Sequence, residues 1–292
     1  MAEYKAPLRD MRFVLTELFD YNDINQMPGC EDFTPDVVDA VLEEAAKVCE
    51  EVLFPINRSG DEEGCHWDDG VVTTPKGFKE AYQTFAEGGW TGIACDPTYG
   101  GQGAPKALNA LVEEMICSTN LSFGMYPGLS FGAYAALHGH ASDTLKDKFL
   151  PKMVDGTWAG TMCLTEPHCG TDLGIIKSKA EPLADGSYSV IGTKIFISAG
   201  EHDLTENIIH LVLAKLPDAP KGTKGISLFL VPKFMVGDDG SLGERNAVKC
   251  GSIEHKMGIK ASATCVMNFD GAVGYLVGEP HQGKIGRASG RG

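Results

Sequence analysis

The chain has 292 residues, 43% hydrophobic and 22% charged, an ordinary globular composition with room for two domains. A formal net charge of -15 repels nucleic acid and anionic lipid, which sets those partners aside, although a few local N–H groups can still hold a small anion. Nine dispersed cysteines with no Cys-x-x-Cys, no apolar stretch at Met1–Lys5 and no run able to cross a bilayer point to free thiols in the cytoplasm.

Helices come first. Thr34-Pro35-Asp36 reads as a helix start: a hydroxyl cap, proline at the first position and an acid at the positive end of the dipole. Val38, Val41, Leu42, Ala45, Cys49, Val52 and Leu53 then recur at three- and four-residue spacing, and Pro55 marks the stop. Thr74-Pro75 opens a second helix with Phe78, Ala81, Tyr82 and Phe85 on one face, closed by Gly88-Gly89. A third runs from Pro105 to about Ser118. The apolar run Leu121–Leu137 reads as a buried helix with a broken start, and another helix from about Ser142 ends at Gly156.

After Thr157 the periodicity changes. Trp158–Leu164 suits a strand, and Ala180–Ala184 and Tyr188–Thr193 flank Asp185-Gly186, a two-residue hairpin signal. Ile195–Ser198, Ile208–Ala214, Ile226–Val231 and Cys265–Phe269 are further β-rich runs. Many short strands at close spacing predict a small barrel or sandwich, with the boundary near Gly156–Trp158. The last nine residues, 284–292, turn basic and Gly-rich without apolar periodicity, and read as an unstructured or frameshifted tail.

Two strand ends carry chemistry. Leu164 is followed by Thr165-Glu166-Pro167-His168-Cys169-Gly170-Thr171-Asp172, which offers hydroxyls and a glycine that lets a flat or anionic ligand approach the backbone. Lys194-Ile195-Phe196-Ile197-Ser198-Ala199-Gly200 has the same character. On spacing alone these are either two polar turns at a sheet rim or two jaws around a planar heterocycle. Cys163, His168 and Cys169 match no zinc spacing, so packing is the favoured reading and no metal is expected. His138-x-His140 reads as the C-terminal end of a helix. Gly100-Gly101-x-Gly103 follows no strand of a βαβ unit, which rules against a dinucleotide fold.

The residues themselves resemble a known family. Leu164-Thr165-Glu166-Pro167-x-x-Gly170-Thr171-Asp172 is similar to the flavin signature of the acyl-CoA dehydrogenases, and Lys194-x-Phe196-Ile197-Ser198-x-Gly200 to its partner motif, with Phe196 where Trp is usual. Asp96–Gly101, Leu150–Met153 with Gly156, Lys256–Thr264 and Val277–Glu279 match further family segments in order. Tyr4–Phe19 resembles the longer bacterial subgroup that includes the methylthiopropanoyl-CoA dehydrogenases. Cys169 departs from the usual small residue and should alter loop packing slightly.

The resemblance implies an α+β molecule: an all-helical N-terminal domain (1–157), a β-barrel middle domain (158–283) and a non-family tail (284–292), with the family's C-terminal four-helix bundle absent. It implies FAD as cofactor. Met162 and Leu164 would contact the isoalloxazine, Thr165 would hydrogen-bond its edge, and Phe196, Ile197 and Ser198 would cover it. Thr171 would sit beside the phosphates or the CoA. Tyr99, Gly100 and the helix around Leu121–Tyr134 would line the acyl cavity. The implied reaction is α,β-dehydrogenation of an acyl-CoA, with an electron-transfer flavoprotein as acceptor and a homo-oligomer as the full-length state. The family draws its catalytic Glu from the C-terminal domain, so no catalytic residue is expected here, and Glu166 is expected to hold its loop. The alternative is a non-catalytic flavin- or CoA-binding or assembly module.

Overall fold

In the computed structural model, which describes residues 3–283, helices dominate as far as Val154 and strands follow from Trp158. The expected tail at 284–292 lies outside the described residues. Helix α1 (Leu8–Phe13) runs into a π-helical turn (Val14–Leu18), and α2 (Tyr21–Asn25) follows. Helix α3 (Pro35–Lys47) starts as its sequence demands, with the Thr34 hydroxyl accepting from the Val37 amide. It continues as a π-helical turn (Val48–Leu53) that keeps Val38, Leu42, Ala45, Cys49 and Leu53 buried on one side. Helix α4 (Asn57–Glu63) leads to a hairpin of β1 (His66–Asp68) and β2 (Val71–Thr73).

That hairpin corrects the expectation of an all-helical first half. Its two-residue loop is Asp69-Gly70, with positive φ at both positions (41° and 92°), which suits an Asp-Gly pair. Asp185-Gly186, by contrast, does not form the expected two-residue turn. The strands there separate after Pro182 and rejoin at Tyr188, and Asp185 spends its carboxylate on the Ser187 amide and hydroxyl.

Helix α5 (Phe78–Glu87) begins later than Thr74-Pro75 suggested. Both the amide and the hydroxyl of Thr74 bond Asp203 Oδ1 (3.0 and 2.8 Å), so Thr74 ties the helical layer to the sheet, and Gly77 at φ 90° precedes the first turn. The third helix and the Leu121–Leu137 run are one element, α6 (Lys106–His140), kinked at Asn120. There the buried Asn120 amide donates to Leu53 O (3.1 Å) and its carbonyl oxygen accepts from Phe123 N (3.0 Å), capping the second half of the helix from inside. Helix α7 (Asp143–Val154) is capped by Ser142.

The strands are β3 (Trp158–Cys163), β4 (Lys179–Pro182), β5 (Tyr188–Ser198), β6 (Asn207–Lys215), β7 (Ile226–Pro232), β8 (Phe234–Val236), β9 (Leu242–Arg245), β10 (Val248–Ile253) and β11 (Thr264–Val277). Two expected runs, Tyr188–Thr193 and Ile195–Ser198, are joined in β5. Lys256–Ala263 is a loop, across which Lys256 Nζ donates to Ser262 O and Thr264 Oγ1.

Apart from a short β8–β9 hairpin, the strands form one seven-stranded sheet in the order β10-β11-β5-β4-β6-β3, and β7 pairs with both β6 and β11. The pairings β11–β5–β4–β6–β7–β11 therefore return to their start. Along one edge of β6, β3 pairs with Asn207–Val212 and β4 with Lys215, both parallel. The sheet has a seam where β3 hands over to β4, and residues 164–178 cross it.

Helices and sheet meet at a glycine. A Cβ on Gly160 would stand 2.5 Å from Ala133 Cβ and 2.8 Å from Met153 Cε, so α6 and α7 lie directly on β3. The Tyr126 hydroxyl adds a second joint, donating to Ala261 O and accepting from Ala263 N, each at 3.0 Å.

Candidate functional site

The seam brings the two motif strand ends together. Ile195 N donates to Thr165 O (2.9 Å), Thr161 Oγ1 to Ser198 O (2.6 Å) and Lys194 Nζ to Leu164 O (3.2 Å). The loop beyond Thr165 closes on itself through paired bonds between Glu166 and Cys169 (both 2.9 Å), and the Cys169 thiol donates to Asp172 O. Cys169, the departure from the family pattern, is buried and satisfied there.

Glu166 is the centre of the seam. Its carboxylate accepts from Lys177 N (2.7 Å), Ser178 N (3.0 Å), Ser178 Oγ (2.7 Å) and Lys194 Nζ (2.9 Å). The two charged side chains are 3% and 0% exposed. Burial by itself pushes the Glu166 carboxyl up. The Lys194 ammonium and the surrounding donors override it and hold the group at about 2. With Oε1 accepting three of these bonds, Oε2 the fourth, and the ionised form favoured by Lys194, this carboxylate is a tie, as the sequence reading expected of Glu166, and not a proton acceptor.

Of the predicted flavin residues, Met162 and Leu164 are partly buried and pack in one apolar cluster with Tyr99 and Phe131. Thr165 and Ser198 are partly exposed, so their hydroxyls can be reached. Phe196 is 58% exposed because β5 carries a bulge: Val266 alone faces Ile195 and Phe196, and Phe196 adopts φ 58°. Ile197 is different. Its side chain is 2% exposed and lies in the sheet interior beside Cys163, so any part it plays at the site falls to its backbone. Thr171 stands exposed on the loop, and Asp172 turns back to accept from Gly174 N (2.9 Å).

Gly170 tests the fit of a bound group. A Cβ there would meet nothing within 4 Å, and its φ is not positive, so neither packing nor backbone strain requires glycine. Gly170 is exposed, and the space beside it is open.

The Tyr99 loop rests on Asp96, Tyr134 and His138, of which the sequence reading had His138 only as a helix end. Asp96 N donates to Tyr134 Oη (2.7 Å), and His138 Nε2 meets Asp96 Oδ2 at 2.9 Å. His138 therefore secures the Tyr99 loop and is more than a helix end. Lys194 was in view as a motif letter without a role. The signal for it was a single charge inside an apolar strand.

The family model for the acyl-CoA dehydrogenase N-terminal domain matches residues 36–157, and that for the middle domain matches 161–272. The 3-methylmercaptopropionyl-CoA dehydrogenase of Ruegeria pomeroyi is 44% identical over 280 residues, covering 96% of this chain and 48% of that protein. A butyryl-CoA dehydrogenase of Syntrophomonas wolfei is 40% identical over 284 residues, covering 94% and 46%. The butyryl-CoA dehydrogenase structure from Megasphaera elsdenii superimposes with a TM-score of 0.70 at 26% identity, over 88% of this chain and 63% of that one. The chain belongs to the acyl-CoA dehydrogenase family. It spans about half the length of the curated relatives it matches.

Proposed function

We propose that this chain supplies the flavin wall and part of the acyl wall of an FAD-dependent acyl-CoA dehydrogenase. One observation carries the reading: two strand ends with family-type residues, distant in sequence, are stitched together by Thr165–Ile195, Thr161–Ser198 and Glu166–Lys194, beside open space at Gly170. The closed circuit of strands is then the family's β-barrel middle domain.

On this reading Met162 and Leu164 offer an apolar face to the isoalloxazine, and Thr165 and Ser198 offer hydroxyls to its polar edge. Phe196 covers it from the bulge, with the Ile197 backbone beside it. Thr171 faces the phosphates or the CoA, and Tyr99 and Gly100 line the acyl end. Bound FAD supplies the acceptor for the hydride that leaves the β-carbon. The α-proton needs a carboxylate on the other face of the substrate. Glu166 is committed, so the base is a different residue. An electron-transfer flavoprotein is the proposed electron acceptor, and a homo-oligomer the proposed state of the full-length protein. Nine unbridged cysteines support a cytoplasmic setting. No helix of the described residues is long and apolar enough to cross a membrane.

The commitment of Glu166 also favours a second reading, a non-catalytic flavin- or CoA-binding module. Titrating the chain with FAD and then with butanoyl-CoA separates the two. We expect weak FAD binding that Thr165→Val weakens further, and no bleaching of the flavin's visible band by the chain alone. Bleaching would place the base within this chain. FAD affinity indifferent to Thr165 and Gly170 would remove the flavin-wall reading.

A further inference from the structure

We infer that Asp96 and His138 form a clamp that positions Tyr99 and so sets the fit of the acyl end of the site, which rests on the reading of Tyr99 as part of the substrate wall. Helix α6 presents Tyr134 and His138 one turn apart, at i and i+4. Both reach the same residue of the facing loop. Tyr134 Oη takes the Asp96 amide at 2.7 Å, and His138 Nε2 takes Asp96 Oδ2 at 2.9 Å.

Asp96 engages every one of its polar atoms. Its Oδ1 accepts from Thr98 N (2.8 Å), and its backbone carbonyl accepts from Tyr99 N (3.0 Å) and Gly101 N (3.1 Å). Those bonds fold the loop that carries Tyr99. The loop cannot back away, because a Cβ on Gly101 would stand 2.1 Å from Cys95 O, which marks how closely the chain passes itself.

The rings transmit the clamp to Tyr99. His138 stacks on Tyr134, with ring centroids 5.4 Å apart and planes 24° apart, and it meets the Tyr99 ring edge-on at 5.9 Å and 87°. Tyr99 packs against the same apolar cluster as Met162 and Leu164, the residues proposed to begin the flavin wall. One histidine therefore touches both the loop's fold, through Asp96, and the orientation of the ring that faces the site. Asp96 and His138 are 34% and 40% exposed, so their replacement leaves no buried charge. His138 lies against Tyr134 and Tyr99, outside the flavin motif, and acts through Tyr99 as a positioning residue.

The test is calorimetric titration of the protein, at saturating FAD, with butanoyl-CoA and octanoyl-CoA. His138→Phe keeps the ring against Tyr99 but drops the bond to Asp96. His138→Gln keeps a donor for Asp96 but drops the ring. His138→Ala drops both. The clamp predicts an acyl-CoA Kd raised about tenfold in His138→Ala, partial recovery in each of the other two, and a changed ratio between the two chain lengths. It also predicts FAD affinity and Tm close to those of the parent. An unchanged acyl-CoA Kd in His138→Ala, with a parent that binds, overturns the clamp alone. Parallel losses of Tm, FAD and acyl-CoA affinity also overturn it, because they mark a purely structural role. A parent that binds FAD but neither acyl-CoA overturns the reading of Tyr99 beneath it.

Discussion

Two carboxylates brace the two regions that we propose as walls of the site, and they do so under opposite conditions. Glu166 is dry, faces a buried ammonium and holds three further donors on one seam. Asp96 is partly wet, meets the His138 imidazole and folds a surface loop. Burial makes the first an all-or-nothing tie, since removing one partner strands the other charge in a poor solvent. Solvent makes the second adjustable, since water can replace any bond that is lost. A carboxylate next to a predicted cofactor loop is therefore not a base by position. Its partners decide what it can do.

The contrast can be broken most directly at Glu166. Glu166→Gln, which leaves Lys194 without its counter-charge, should cost ~3–5 kcal/mol in urea or thermal melts. Adding Lys194→Met should return part of that loss; a double variant no better than the single one would show that the charge is not the cause. The same pair sets an acid limit. The Glu166 carboxyl is held at about 2 against its ordinary 4.5. A group depressed in the folded state stabilises above its unfolded value, and that stability is lost as pH falls from 4.5 toward 2. Stability measured across this window should slope less in the Glu166→Gln/Lys194→Met variant than in the parent.

A smaller effect is expected where the walls join. Gly160→Ala forces a methyl into Ala133 and Met153 and should cost ~1–3 kcal/mol, with α6 displaced from β3. The smallest sharpens the comparison on the ligand side. Gly170→Ala should change stability by less than about 0.5 kcal/mol, because its Cβ meets nothing, yet weaken FAD binding. Equal FAD affinity in that variant would mean the space beside Gly170 is not the flavin's.

Much of this was legible in the sequence because local chemistry and tertiary outcome agree there. Thr34-Pro35 capped α3, the apolar stripe behind it was buried, and β3, β6 and β7 fell on their β-rich runs. The failures share a cause. Thr74 looked like a cap, but its hydroxyl and amide were claimed by Asp203, 129 positions away. Asp69-Gly70 made the tight hairpin while Asp185-Gly186 did not, because Asp185 turned its carboxylate onto Ser187. Ile197 seemed to point at the ring, but the bulge opposite Val266 shifts the alternation by one and turns Phe196 out instead. At the site, the motif residues were readable one by one. Their braces were not, since Lys194 with Glu166 and His138 with Asp96 pair across 28 and 42 positions.

The seam between β3 and β4 gives the closed circuit a preferred place to open. Between β6 and β7 the strands are joined by an unbroken ladder from Ile209–Pro232 to Lys215–Ile226; here the join is a carboxylate, two amides, a hydroxyl and an ammonium. Such a fastening releases as a unit. The amides of Lys177 and Ser178 should then exchange with deuterium together, ahead of those in β6 and β7, and a cofactor seated against the loop would slow that breathing without touching the ladders.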